Sequence, residues 1–200
     1  MPPGPIRRRY LPFGRAPLSP GAVKPTDEER MLAVAGGDHE AFRELVLAHE
    51  HAAWSVAYRF LRDAAEAEDA AQEAFLRIFQ AASRYRPTAS FRTYLYRVVA
   101  RICIDRAEKK HPVYTDTVPD VADPSPTPAE DLAAGERTDL VRRALDALPP
   151  KQRMAVILRY YEDLDYSGIS RVLEVTVKAV EGLLGRARAA LQVSLAPMRD

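Results

Sequence analysis

Between Arg84 and Lys110 eight basic residues stand against two acidic ones, and Tyr85, Phe91, Tyr94 and Tyr96 are interleaved among the arginines. That mixture suits a single-stranded nucleic acid: basic groups track phosphates, and each aromatic face can stack an unpaired base for about 1 to 3 kcal/mol. The plainer alternative is tyrosines half-buried in a core beside solvated arginines, and it is expected for one or two of the four aromatics. A second grouping, Glu66, Glu68, Asp69 and Glu73, crowds carboxylates into a short segment ahead of Phe75 and Phe79. It complements a basic partner surface with the phenylalanines either anchoring or buried, or it is a solvated acidic face over two core rings. A third is the pair of short helical segments Tyr166 to Leu173 and Thr176 to Leu195, joined tightly at Glu174-Val175. Ile169, Leu173, Val175, Val180 and Leu184 form a small core between them, which is the pattern of a helix-turn-helix. Lys178, Glu181, Arg186 and Arg188 are left on or near the outer surface of the second helix. Its early residues would approach base edges, and Arg186 and Arg188 phosphates. An ordinary helical hairpin with solvated charges is the alternative.

Metal or acid–base catalysis has little to work with. His49 and His51 are two residues apart, which puts them on different faces of a helix instead of one turn apart. His39 stands alone, and Cys103 is the single cysteine, so neither a disulfide nor a Cys/His metal site is expected, nor any cofactor. The expectation is a binding protein, not an enzyme, working in a reducing cytoplasm. Arg7, Arg8 and Arg9 are followed by a stretch broken by Pro, Gly and Arg, unlike an export signal. No window reaches the roughly 20 apolar residues that span a bilayer, so no membrane insertion is expected.

These groupings sit in a segregated charge pattern that the net charge of +1 conceals. Residues 1–24 carry five basic and no acidic residues; 25–83 carry five and twelve; 84–110 eight and two; 112–139 one and seven; 140–200 ten and seven. Two positive segments separated by an acidic one suggest contact with a polyanion in patches. Twelve of the sixteen prolines fall within residues 2–25 and 112–128. The first stretch reads as a disordered basic arm (1–25) and the second as an extended, self-repelling acidic linker (112–129), dividing the chain into domains at 26–111 and 130–200.

Both domains read as all-α. Thr26 and Glu29 have capping-box spacing and open a helix to about Ala35; Gly36-Gly37 ends it and Asp38 caps the next, a long helix to Arg62. A third runs from about Ala64 to Ala82, with Ala71, Phe75, Ile78 and Phe79 facing inward. Pro87 interrupts, and Ser90 caps a fourth with Leu95, Val98, Val99 and Ile102 as its apolar stripe and Cys103 in the same core. In the second domain Thr127, Pro128 and Glu130 start a helix to Leu148. Pro149-Pro150 starts one carrying Ala155, Val156, Leu158 and Tyr161, Asp165 caps Tyr166 to Leu173, and Thr176 caps the last.

On these residues the chain resembles the extracytoplasmic-function sigma factors of the sigma-70 family. The tail ALDALPPKQRMAVILRYYEDLDYSGISRVLEVTVKAVEGLLGRARAAL is similar to their region four. DAAQEAFLRIFQA resembles the region-two helix that binds the polymerase clamp, and SFRTYLYRVVARICIDRAEKK the helix that melts and reads the minus-ten element. The likeness covers about residues 38–110 and 140–192. It implies two small helical domains, region two and a helix-turn-helix region four, and a subunit that takes core RNA polymerase to promoters. Residue by residue, it implies that Asp69, Gln72, Glu73 and Phe75 bind the clamp. The loop Arg84, Tyr85, Arg86 to Ser90 would hold a base flipped from the minus-ten element, and Phe91, Arg92, Tyr94, Arg97 and Arg101 would line the melted strand. Arg171, Thr176, Lys178, Ala179, Glu181, Gly182, Arg186 and Arg188 would face the minus-thirty-five duplex. Partners are then core RNA polymerase, promoter DNA and an anti-sigma factor. The chain departs from the pattern at Tyr94, usually tryptophan, and Arg101, often asparagine; both replacements keep a stacking or phosphate-binding capacity. Glu181, Gly182, Leu183 and Gly185 stand where many relatives carry lysine, serine, arginine and histidine. The competing reading is a helix-turn-helix regulator that binds closed operators without polymerase.

Overall fold

The computed structural model describes residues 24–110 and 139–196. The arm, the linker and the start signal at Thr127 to Glu130 lie outside the described residues. Helix α1 (Asp27–Ala35) opens on the anticipated capping box: the Thr26 hydroxyl accepts from the Glu29 amide at 3.2 Å, and the Glu29 carboxylate accepts from the Thr26 amide at 2.8 Å. Gly37, at φ 95°, turns the chain through a conformation that a side chain would strain. Asp38 then caps α2 (His39–Leu61) by accepting from the amides of Glu40 and Ala41.

Asp63 caps α3 (Ala64–Gln80). This helix ends at Gln80 instead of running to Ala82, because Ala82–Arg84 tighten into a 3-10 turn that redirects the chain ahead of Pro87. Helix α4 (Phe91–Lys110) follows. Its start is held twice: the Ser90 hydroxyl accepts from the Thr93 amide at 3.3 Å, and the Phe91 amide donates to the Glu28 carboxylate, 63 residues away on α1, at 2.7 Å.

After the linker, α5 is helical over the described residues 139–146. It stops short of Leu148 because the residue before Pro149 is driven out of the helical region; Leu148 donates instead to the Leu145 carbonyl at 3.1 Å. Helix α6 (Pro150–Tyr160) carries proline at its first position, where no amide partner is lost. Tyr161 departs from the expected core stripe: it is 47% exposed, past the end of α6, with Arg59 over its ring. Helices α7 (Tyr166–Leu173) and α8 (Val177–Ser194) complete the fold. The described residues contain no strand, and no described helix is long and apolar enough to cross a membrane.

Helices α2, α3 and α4 pack on one another with α1 across them. The buried face of α3 is mostly alanine (Ala67, Ala70, Ala71 and Ala74), which lets its backbone come close to α2. Met31, Leu45, Phe60, Ile78, Leu95 and Ile102 fill the centre. In the second bundle α6 packs on α7 and α8 around Met154, Ile157, Leu158, Ile169, Val180 and Leu184. The bundles also meet each other. Helix α7 lies on α4, α6 touches both α2 and α4, and one apolar core runs through the two.

Cys103 is buried as expected, and burial pushes its thiol up to about 12. Only the thiolate attacks disulfide reagents. In mildly alkaline buffer the native protein is therefore expected to leave an aromatic disulfide unreacted while the urea-unfolded chain releases one equivalent of chromophore. Rapid titration of the native thiol would contradict this packing.

Candidate nucleic-acid interface

Helix α4 turns two different faces outward and inward. Phe91, Leu95, Val99, Ile102 and Cys103 recur at helical spacing and are buried. Phe91, expected along a melted strand, is 0% exposed and belongs to that core stripe, its ring 5.2 Å from His49 of α2. Tyr85, expected in the base-holding loop, is also buried, and Tyr96 with it, so three of the four aromatics are core where one or two were anticipated. Tyr94 is the half-exposed one. It contacts Tyr85 at 5.3 Å between centroids, and the Arg97 guanidinium lies over its ring at 5.1 Å. Burial raises the phenol of Tyr94, so the ring stays neutral.

Around Tyr94 the structure gathers Arg84, Arg86, Ser90 and Arg101, all exposed, and the partly exposed Arg97, while Arg92, also exposed, turns to the Tyr96 hydroxyl at 2.9 Å and to Glu162 at 3.1 Å. In the loop Arg86 donates to the Tyr85 carbonyl at 2.9 Å. A cavity of about 190 Å³ opens here, lined by Tyr85, Arg86, Thr93, Tyr94 and Arg97. Arg171 of α7 also lines it, so this residue, anticipated at the duplex-reading helix-turn-helix, stands at the loop of the first bundle.

On α3, Asp69 and Gln72 face outward, and Gln72 donates to Glu68 at 3.1 Å. Glu73 is tied down between Arg106 at 2.7 Å and Arg77 at 2.6 Å. The hydrogen bond from Arg106, and then the neighbouring charges, hold its carboxyl below the usual carboxylate range. Phe75 is buried and meets Phe42 edge-on at 6.4 Å, forming a floor instead of an exposed anchor. Sequence reasoning missed the groove above it. Phe42, Val46, Trp54, Gln72 and Leu76 line an open cavity of about 630 Å³ between α2 and α3. Trp54 stacks on Tyr58 at 4.8 Å and Leu76 is 55% exposed. The available signal was Leu76, an apolar residue four positions past Gln72 on the outward face of α3.

The helix-turn-helix forms as its spacing requires. Asp165 accepts from the Gly168 amide at 2.7 Å, Glu174 takes the left-handed turn at φ 54°, and Thr176 accepts from the Ala179 amide at 3.2 Å. Ser170 locks the turn by donating to the Val175 carbonyl at 2.5 Å. Ile169, Val180 and Leu184 are buried as expected; Val172 and Ala187 join them, while Leu173 and Val175 are half-buried. Thr176, Lys178, Ala179, Glu181, Arg186 and Arg188 are all exposed on or before α8. Gly182 is half-buried, and a Cβ there would meet the Arg186 guanidinium at 3.2 Å. At Gly185 a Cβ would meet nothing within 4 Å, so Gly185→Ala is expected to stabilise the second bundle by about 0.5 to 1 kcal/mol, read as a higher urea midpoint.

Comparison with known proteins matches both bundles. The family models Sigma-70 region 2 and Sigma-70 region 4 match residues 45–112 and 138–191. The chain is 34% identical over 188 residues to the RNA polymerase sigma-H factor of Pseudomonas aeruginosa, covering 86% of this chain and 95% of that protein. It is 30% identical over 183 residues to the ECF RNA polymerase sigma factor SigW of Bacillus subtilis, covering 84% and 96%. The solved structure of CnrH in complex with the cytosolic domain of CnrY is similar at a TM-score of 0.64 and 25% identity, over 86% of this chain and 97% of that one.

Proposed function

Since this chain belongs to the sigma-70 family of RNA polymerase sigma factors, in its extracytoplasmic-function branch, we propose how its surfaces divide the work of initiation. It is an alternative sigma factor that joins core RNA polymerase and directs it to promoters. Residues 26–111 act as region two and 130–200 as region four, with the arm and linker outside both. Asp69 and Gln72 meet the polymerase clamp: the exposed Asp69 carboxylate, and the Gln72 amide that lines the apolar α2–α3 groove, fit a basic, partly apolar helical surface. Glu73 and Phe75 hold that face in shape.

The exposed set Arg84, Arg86, Ser90, Arg92, Tyr94, Arg97 and Arg101 takes the melted minus-ten strand, its arginines on phosphates and Tyr94 stacked on a base whose neighbour enters the small cavity at the loop. Opening the duplex is then capture of unpaired bases, with no chemical step of its own. Thr176, Lys178, Ala179 and Glu181 lie early in α8, where a recognition helix meets base edges, and Arg186 and Arg188 reach phosphates further along. The partners are core polymerase, duplex and melted promoter DNA, and an anti-sigma factor, and the work takes place in the cytoplasm. The observation that carries the reading is the pairing, in one chain, of a basic face with one accessible aromatic on α4 and a helix-turn-helix.

The test is transcription by purified core polymerase from a related bacterium on a pool of upstream regions, with and without the chain. Defined transcripts that need the chain support it. Tight binding to duplex DNA alone, with no association with core polymerase, favours the operator-binding regulator.

A further inference from the structure

The groove between α2 and α3 is lined by an aromatic ladder with acid beside it. Along α2 the Trp54 ring stacks on Tyr58 at 4.8 Å and on His51 at 6.2 Å, and Phe42 and Phe75 close the floor. The described residues that line it include two exposed carboxylates, Glu50 and Glu68, and no lysine or arginine. Flat rings beside carboxylates suit a segment rich in proline and arginine. Proline rings pack on aromatic faces, and a guanidinium can lie on an indole while its charge meets a carboxylate. One stretch of this chain has that composition. Residues 1–23 hold six prolines, four arginines and no acidic residue, with Tyr10, Leu11 and Phe13 among them. Their attachment point favours the groove as well. The described chain begins at Lys24, and the Asp27 carboxylate three residues on lies 2.7 Å from the His49 ring nitrogen, next to Glu50 on α2. A segment of this length can span up to about 75 Å, whereas the whole of α2 is about 35 Å long, so every part of the groove is within reach.

We propose that the α2–α3 groove is the docking site of the chain's own arm, residues 1–23, with prolines against Trp54 and the run Arg7, Arg8 and Arg9 at Glu50 and Glu68. A tethered segment meets its site at an effective concentration on the order of mM, so a contact too weak to hold two separate molecules together still fills the groove. The arm offers the same basic, partly apolar chemistry as the surface assigned above to the polymerase clamp, and the two cannot sit in the groove at once. That competition rests on the clamp reading of the groove; the seating of the arm does not.

The experiment uses the full chain and a reporter already in place, since Trp54 is the single tryptophan. Cys103 is buried, so a thiol-specific nitroxide on an Ala16→Cys variant marks the arm alone. The nitroxide is expected to remove most of the Trp54 emission, independently of protein dilution. Emission should return when Arg7, Arg8 and Arg9 are all changed to Ser, and equally when Glu50→Lys and Glu68→Lys are combined, with circular dichroism checking that both variants fold. The triple-serine arm should also bind core polymerase, without DNA, about 3- to 10-fold more tightly, because apparent affinity scales with the fraction of chains whose groove is open. Bright Trp54 in the labelled chain, or quenching that both folded charge variants retain, would overturn the docking. Quenching that fades on dilution would overturn it in favour of the arm of a second copy. Quenching relieved with no gain in core affinity would overturn the competition and count against the clamp reading, leaving the arm's site standing.

Discussion

Phe91→Ala is expected to cost the protein about 3 to 5 kcal/mol of stability, a large share of the roughly 5 to 15 that a domain has. The ring is 0% exposed, packed 5.2 Å from His49 and 6.5 Å from Tyr94, and the first turn of α4 that carries it is pinned to Glu28. Removing the ring leaves a cavity in the core, so a cavity penalty adds to the lost transfer energy. Tyr94→Ala, three residues along, is expected to do the opposite. It removes a half-exposed ring at modest cost in stability, but takes away a base-stacking face and the cradle for Arg97, lowering open-complex formation by about 10- to 100-fold. Urea denaturation separates the first effect, and permanganate reactivity of minus-ten thymines under saturating polymerase reads the second. A stable Phe91→Ala protein defective only in melting would show that the ring leaves the core to work.

The contrast between these two residues shows what the sequence carries and what it does not. Thr26, Asp38, Asp165 and Thr176 were legible as caps because a cap acts on amides two or three residues away. The helical period placed Leu95, Val99 and Ile102 in the core for the same local reason. Which aromatics would be buried was not legible. Tyr85 is covered close to the carboxylates of α1, Phe91 by His49 of α2, and Tyr96 by Glu162, 66 residues later; each burial depends on how helices cross. The α2–α3 groove was hidden likewise, since Phe42 and Leu76 become one surface only when those helices are set side by side. The helix-turn-helix stood between these cases: its turn and caps are local, yet the sequence put Arg171 on the duplex-reading side, and the structure puts it against the first bundle.

Tyr96 ties the first bundle to the second by donating to Glu162. Burial, and then its hydrogen bond to Glu162, push its phenol up to about 12. A raised folded value means that its stabilising contribution is complete below the ordinary tyrosine value near 10 and is lost as pH rises toward about 12. The phenol therefore stays neutral and hydrogen-bonded to Glu162 through the physiological range.

Asp69→Arg is expected to weaken association with core polymerase by about 10- to 100-fold while leaving the fold intact. Asp69 is exposed on the first half of α3, between Glu68 and Gln72, which line the groove that would seat a clamp helix, so reversing its charge sets like against like at a basic partner surface. Glu73→Gln, one helical turn on, is the discriminating control. Its carboxylate binds Arg106 and Arg77 within the chain, so its loss should appear as lower stability. Because Glu73 is held below the usual carboxylate range, that stability is present above the ordinary value and disappears as pH falls through the lowered one. The wild type should thus lose an increment in acid that Glu73→Gln never has. Competition for core polymerase against a labelled sigma factor reads the first effect, and acid denaturation reads the second. If Asp69→Arg binds core polymerase normally and Glu73→Gln does not, the partner reads the ion-paired centre of α3, and the groove above it serves some other helix.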